Sequence, residues 1–214
     1  MTPRAVIFDF NGTLSDDEPI LYRIFAELFA EHGRPLSERD YYDTLAGHSD
    51  PEIVRLWLGR DHPDVDLVIG ERVGRYRAAV SDGSTVGEAV RESVRYAAER
   101  VPVAIVSGAA RAEIEPVVAA AGLAPLFRAI VSSDDVVEGK PHPEGYLRAL
   151  ELLDAGLHPE QVVVFEDTEA GVASAKAAGT YCVGLTRTLG AARLAQADEV
   201  VPELEPAVVR RLLA

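Results

Sequence analysis

Four short polar clusters punctuate this chain, each following an apolar run, the third displaced from its run by a short loop: Asp9-Phe10-Asn11-Gly12-Thr13, Ser107-Gly108, Gly139-Lys140-Pro141 and Glu166-Asp167-Thr168. Taken singly they are ordinary. Asn-Gly after a strand also fits a turn, Ser-Gly a helix cap, and Glu-Asp a solvated helix start. Taken together they supply a nucleophilic carboxylate, a hydroxyl, an ammonium and a second acidic pair, the parts needed to move a phosphoryl group. A carboxylate attacking a phosphate dianion meets repulsion of about 4 kcal/mol per charge pair at 4 Å and an effective dielectric near 20. A cation must offset it. Mg²⁺ fits, because it takes hard oxygen ligands from one or two carboxylates, here Asp9 and Asp167, together with substrate phosphate oxygens. Lys140 adds a compact point charge. It is one of only two lysines among 21 basic residues, the other being Lys176, and an Arg fork would be bulkier in such a place.

The elements that must position these clusters are legible as apolar runs at Ala5 to Phe8, Val101 to Val106, Ala129 to Val131, Val162 to Phe165, Tyr181 to Val183 and Glu199 to Val201. From position 80 onward they alternate with segments of helical period, the pattern of a parallel sheet covered by helices. The fold class expected is α/β, a Rossmann-like, doubly wound parallel sheet. In such sheets ligands bind outside the carboxyl ends of the strands, so the four clusters should converge at one edge. Thr85 with Glu88 reads as a capping box for a helix to about Glu99, and Gly122 and Gly179 read as helix stops. Pro116 lies inside the helix drawn from Arg111 to Ala121 and should delay its start or kink it. Residues 16–80 carry no strand signal. They read as an all-helical cap domain with Trp57 in a small core, inserted into a core domain of residues 1–15 and 81–214, and expected to move as a lid.

Composition excludes several classes. A chain of 214 residues with 48% hydrophobic residues buries about 70% of the surface its unfolded form exposes, enough for a core without staples. The formal charge of −14 repels phosphate backbones and anionic lipid alike, so neither nucleic acid nor membrane is an expected partner. No apolar stretch reaches membrane-span length, and the single cysteine, Cys182 in an apolar run, fits a core position in a reducing compartment. A cytoplasmic protein is expected, as a monomer or weak homodimer.

In this order the four clusters resemble the haloacid dehalogenase superfamily of aspartate-nucleophile phosphatases and phosphomutases. Phe8 to Leu14 resembles its first motif, Val106-Ser107-Gly108 its second, Gly139-Lys140-Pro141 its third and Phe165 to Gly171 its fourth. The stretch 16–80 is similar to the cap of a subgroup that includes β-phosphoglucomutases and phosphoglycolate phosphatases. The resemblance implies Asp9 as the nucleophile that forms an aspartyl phosphate, with Ser107 and the amides after it, from Gly108 on, holding the phosphoryl group. It implies Lys140 neutralising phosphoryl charge, Gly12 and Thr13 shaping the loop beneath the phosphate, and Mg²⁺ held by Asp9, Asp167 and the Asn11 carbonyl, with Glu166 ligating directly or through water. The substrate implied is a small phosphorylated metabolite.

The chain departs from the family at Asn11, where the phosphatases carry a second Asp as general acid and base. An amide cannot shuttle a proton, a function worth typically 10² to 10⁴-fold. A non-catalytic protein that binds a phosphorylated ligand is therefore the alternative. A phosphomutase is a further one, less well matched: Leu21 stands where β-phosphoglucomutases place a His, and Gly47-His48-Ser49-Asp50 puts an anion where their cap carries an Arg. Arg72 and His48 remain as cap residues for substrate. His142 reads as ordering its own loop, and His32, His62 and His158 show no clustering that suggests a metal.

Overall fold

The structure, a computed structural model, describes residues 3–154 and 156–214. Its six strands are β1 (Ala5–Phe8), β2 (Val103–Val106), β3 (Phe127–Val131), β4 (Val162–Glu166), β5 (Tyr181–Leu185) and β6 (Glu199–Val201). They form one sheet in the order β3-β2-β1-β4-β5-β6, every pairing parallel. Strands β1, β2 and β4 are buried along their whole length, which is why they read as unbroken apolar runs. Phe8 stands in register with Phe165, and their rings stack at 5.4 Å.

Strand β2 begins two residues later than the apolar run, because Pro102 accepts from the Val6 amide at 3.1 Å but has no N–H to give the ladder. Strand β3 begins two residues earlier, at Phe127.

Between β1 and β2 lie α1 (Glu18–Glu31), the single turn α2 (Glu38–Asp40) running into a π turn at Tyr41–Leu45, α3 (Asp50–Leu58), α4 (Val65–Val80) and α5 (Glu88–Ala98). The stretch 16–80 contains helices and no strand. Its interior is built from Phe25, Leu28, Phe29, Tyr41, Val54 and Tyr76, all at 1% exposure or less. Trp57 is only half-buried, stacked on Phe29 at 6.4 Å, so it closes the edge of that interior and is not its centre. The cap interior is also continuous with the apolar layer on one face of the sheet.

The expected capping box at Thr85 does not form. Gly87 occupies the N-cap of α5, and Thr85 instead joins the two connections of the cap: its hydroxyl accepts from Ser15 Oγ at 2.7 Å and its carbonyl from the Asp16 amide at 2.8 Å.

The remaining helices are α6 (Arg111–Ala120), α7 (Glu144–Leu153), α8 (Glu169–Ala177) and α9 (Pro206–Leu213). Helix α6 starts at Arg111 despite Pro116 and runs past it, held by the burial of Ile114, Val117 and Val118. Gly122 and Gly179 lie just beyond α6 and α8 with φ of 72° and 82°, as expected of helix stops. Cys182 is fully buried. No helix among the described residues is long and apolar enough to cross a membrane.

Candidate active site

The centre of the sheet is where successive connections leave in opposite directions, and β1 and β4 end there side by side. Asp9 follows β1, its amide bonded to the Phe165 carbonyl at 2.9 Å. Glu166 ends β4 and Asp167 follows it. Lys140 arrives from the segment between β3 and α7 and places Nζ 2.5 Å from Asp9 Oδ1, 2.5 Å from Glu166 Oε1 and 3.2 Å from the Val106 carbonyl.

Glu166 is fully used by this arrangement. Its Oε1 also accepts the Tyr146 hydroxyl at 2.7 Å, and Oε2 accepts the Asp167 amide at 3.1 Å and the Thr168 hydroxyl at 3.3 Å. Gly171 on α8 is a glycine for this reason, since a Cβ there would overlap the Glu166 carboxylate. Burial pushes the Asp9 carboxyl up to about 7 against the pull of Lys140. Burial works to lower Lys140, but the attraction of Asp9 and Glu166 outweighs it and the net displacement is upward.

Asp9, Glu166 and Asp167 each offer an oxygen, all within 4.8 Å of one another. Ionised together, the three carboxylates would exceed the one ammonium by two negative charges, and burial resists that state. Asp167 has no cation within reach to offset its charge, and like Glu166 it is closed off from water. At 0% solvent exposure, its Oδ1 accepts from Thr13 Oγ1 at 3.3 Å while Oδ2 has no hydrogen-bond partner. Burial, then Asp9 and Glu166, raise its pKa well above the usual carboxylate range. An orphaned, buried hard oxygen in a carboxylate cluster is what a divalent cation such as Mg²⁺ would satisfy. Gly12, at φ 71°, lets the loop turn against this carboxylate, where a Cβ would collide with Asp167 Oδ2.

Asn11 points away from proton chemistry. Its amide donates to Asp17 Oδ2 at 3.0 Å and to the Tyr76 hydroxyl at 3.2 Å, and Tyr76 in turn donates to the same Asp17 oxygen.

Asp9, Asn11, Ser107, Gly108 and Lys140 line one cavity of about 460 Å³, whose cap side carries His48 and Arg72. Ser107 Oγ accepts the Ala109 amide at 3.0 Å, and its own amide bonds the Val131 carbonyl at 2.9 Å. That leaves the hydroxyl proton for a ligand. The structure thus brings together all the residues singled out in the four motifs. It qualifies Arg72. The guanidinium is buried, hydrogen-bonded to Glu113 of α6 and 3.4 Å from Asp50, so it is not a free cation for an anionic substrate. His48 is exposed and 3.7 Å from Glu52.

A family model for haloacid dehalogenase-like hydrolases matches residues 3–179. The chain belongs to that family. Among the curated relatives of this hydrolase, validoxylamine A 7'-phosphate phosphatase of Streptomyces hygroscopicus subsp. limoneus is 34% identical over 94% of each chain. Phosphoglycolate phosphatase of Yersinia pseudotuberculosis is 31% identical over 86% of this chain and 81% of its own. The crystal structure of CbbY from Rhodobacter sphaeroides in complex with phosphate superposes with a TM-score of 0.82 over 95% of each chain at 24% identity, a likeness of fold.

Sequence reasoning missed several residues that build the site of this hydrolase. Tyr146 holds Glu166, Glu113 pairs with Arg72 across the boundary between cap and core, and Asp17 holds Asn11. Asp17 is fully buried; in the sequence the only signal for it is an acidic pair, Asp17-Glu18, directly before the apolar positions of α1. His32 and His62 do come together, their rings 5.2 Å apart, although nothing in their spacing showed it; no third ligand joins them among the described residues. His142 behaves as expected, accepting from the Glu144 amide at 3.3 Å.

Proposed function

We propose that this hydrolase is a Mg²⁺-dependent phosphatase that moves the phosphoryl group of a small phosphorylated metabolite to Asp9 and then to water. The observation that carries the reading is Lys140 clamped between Asp9 and Glu166 at 2.5 Å each, beside the orphaned Asp167 oxygen. The names of its relatives, phosphatases of validoxylamine A 7'-phosphate and of phosphoglycolate, support the same class.

Asp9 attacks phosphorus through Oδ2, the oxygen that Lys140 does not hold. The phosphorus–oxygen bond to the leaving group breaks, and an aspartyl phosphate remains for water to open. Lys140 offsets charge on the phosphoryl oxygens, and the Ser107 hydroxyl donates to one of them. Glu166 fixes Lys140 and sits one layer behind the reacting atoms, its oxygens already occupied. Asp9, Asp167 and the Asn11 carbonyl would hold Mg²⁺, which supplies positive charge to both the nucleophile and the phosphoryl group. When bound it would also favour the ionised form of Asp9 against the burial that otherwise raises its pKa. The cap, residues 16–80, covers the cavity and excludes water.

Mg²⁺-dependent release of phenol from an aryl phosphate, lost in Asp9→Ala, is the expected result. Phosphate-ligand binding without turnover in the native protein would overturn the reading in favour of a non-catalytic binding protein.

A further inference from the structure

Among the described residues three buried side-chain polar atoms lack a hydrogen-bond partner, and two of them, Asp167 Oδ2 and Thr188 Oγ1, lie beside the same glycine. A Cβ at Gly12 would run into both oxygens at once. Asp167 belongs to the four polar clusters, whereas Thr188 comes from the loop between β5 and β6, which none of them includes. Buried polar groups are as a rule hydrogen-bonded, so two orphans side by side ask for a common explanation. The loop itself fixes where Thr188 stands. On one side of it the Thr186 amide bonds the Val201 carbonyl at 3.0 Å and Arg187 pairs with Glu203 at 3.3 Å. On the other, Leu189 is buried. The hydroxyl adds no hydrogen bond to this framework, and a valine would pack there in the same shape.

The two oxygens of Asp167 have different duties. Oδ1 accepts from Thr13 Oγ1 at 3.3 Å, which leaves Oδ2 as the oxygen for a cation. An ionised carboxylate oxygen has room for two partners. Mg²⁺ would take one, and the Thr188 hydroxyl, its proton uncommitted, stands beside the other. We propose that Thr188 is a positioning residue of the metal centre: its hydroxyl donates to Asp167 Oδ2 and fixes the rotation of that carboxylate for Mg²⁺. This role presupposes the reading of Asp167 as a Mg²⁺ ligand and adds to it a partner from outside the four clusters. Partners of this kind orient a ligand, and their loss typically weakens metal binding by about 10 to 100-fold. Thr188 does not line the cavity that holds Asp9 and Lys140, so it acts on the metal ligand and not on the substrate.

Calorimetric titration of Mg²⁺ into the native protein, Thr188→Val and Thr188→Ser tests this without turnover. Valine keeps the shape and removes the hydroxyl, while serine keeps the hydroxyl and gives up a methyl. Thr188→Val should bind Mg²⁺ about tenfold or more weakly than the native protein, and Thr188→Ser should stay close to native. Raising Mg²⁺ should recover most of the aryl phosphate turnover that Thr188→Val loses. A residue that only packs would give the opposite order, with serine the more damaging change and valine harmless. If Thr188→Val does not fold, Thr188→Ala takes its place with the same expected loss. Native affinity in the variant without the hydroxyl, or an equal loss in Thr188→Ser, overturns the inference and leaves Asp167 standing as a ligand. A native protein that takes up no Mg²⁺ overturns the metal reading itself, and the role of Thr188 with it.

Discussion

The side-chain amide of Asn11 is bonded to the buried carboxylate of Asp17 at 3.0 Å. Six residues apart, they are joined across the entry to the cap, and Tyr76 of α4 closes the triangle with hydrogen bonds to both. The residue at position 11 is thereby committed to holding the cap connection, and its nitrogen has no proton to lend a leaving group.

Leaving groups that need no proton should accordingly be favoured. Native protein should turn over aryl phosphates faster than alkyl phosphates, with a burst of leaving group as the aspartyl phosphate accumulates. Asn11→Asp should raise steady alkyl phosphate turnover by roughly 10² to 10⁴-fold. Asp17 aids this, because two carboxyls at hydrogen-bond distance share a proton and keep one acid form available near neutral pH. Stopped-flow release of phenol and steady-state alkyl phosphate rates check it. Equal native rates without a burst would show that another group donates the proton.

Asp167→Asn should abolish Mg²⁺ binding, since it removes one negative charge and replaces an unpartnered oxygen of the carboxylate cluster. Calorimetric titration of Mg²⁺ into native and variant protein is the readout, and unchanged affinity would remove Asp167 from the ligand set.

Arg72→Met should cost about 3–5 kcal/mol of stability, the usual penalty for leaving buried charges uncompensated. The stranded groups are Glu113, at 2% exposure, and Asp50. Arg75 is the internal control, one turn away on the same helix, half-buried and paired with the exposed Glu31 at 2.9 Å; Arg75→Ala should cost less than about 1 kcal/mol. Urea midpoints of the two variants should differ accordingly.

Glu18 gives a pH signature with a definite sign. Burial raises its pKa from 4.5 to about 7, so the native state binds a proton that the unfolded state has released between those values. Its contribution to stability is complete below pH 4.5 and is lost as pH rises through 7. Glu18→Gln keeps the hydrogen bond from Tyr41 and has no charge to bury. It should match native stability near pH 4.5 and exceed it at pH 8, by no more than about 3 kcal/mol. Denaturant melts in metal-free buffer at both pH values check the crossover.

The strands, the four polar motifs and the strandless stretch 16–80 could be read from the chain because each is written in consecutive residues. A fully buried strand must be an unbroken apolar run, and a loop at its carboxyl end must carry the chemistry. Asp9, Ser107, Lys140 and Asp167 were recognisable on those grounds, and their meeting at one edge followed from parallel topology. Tertiary structure decided what each charge is free to do. Glu113, 41 positions from Arg72, is hydrogen-bonded to its guanidinium, and Lys140, Tyr146 and the Asp167 amide all bond the Glu166 carboxylate. Thr85 carried a cap signal yet ties the two cap connections. Sequence patterning records which face of an element is apolar; the partner of a buried polar group depends on which elements are brought within 3 Å, and that is settled only when the whole chain packs.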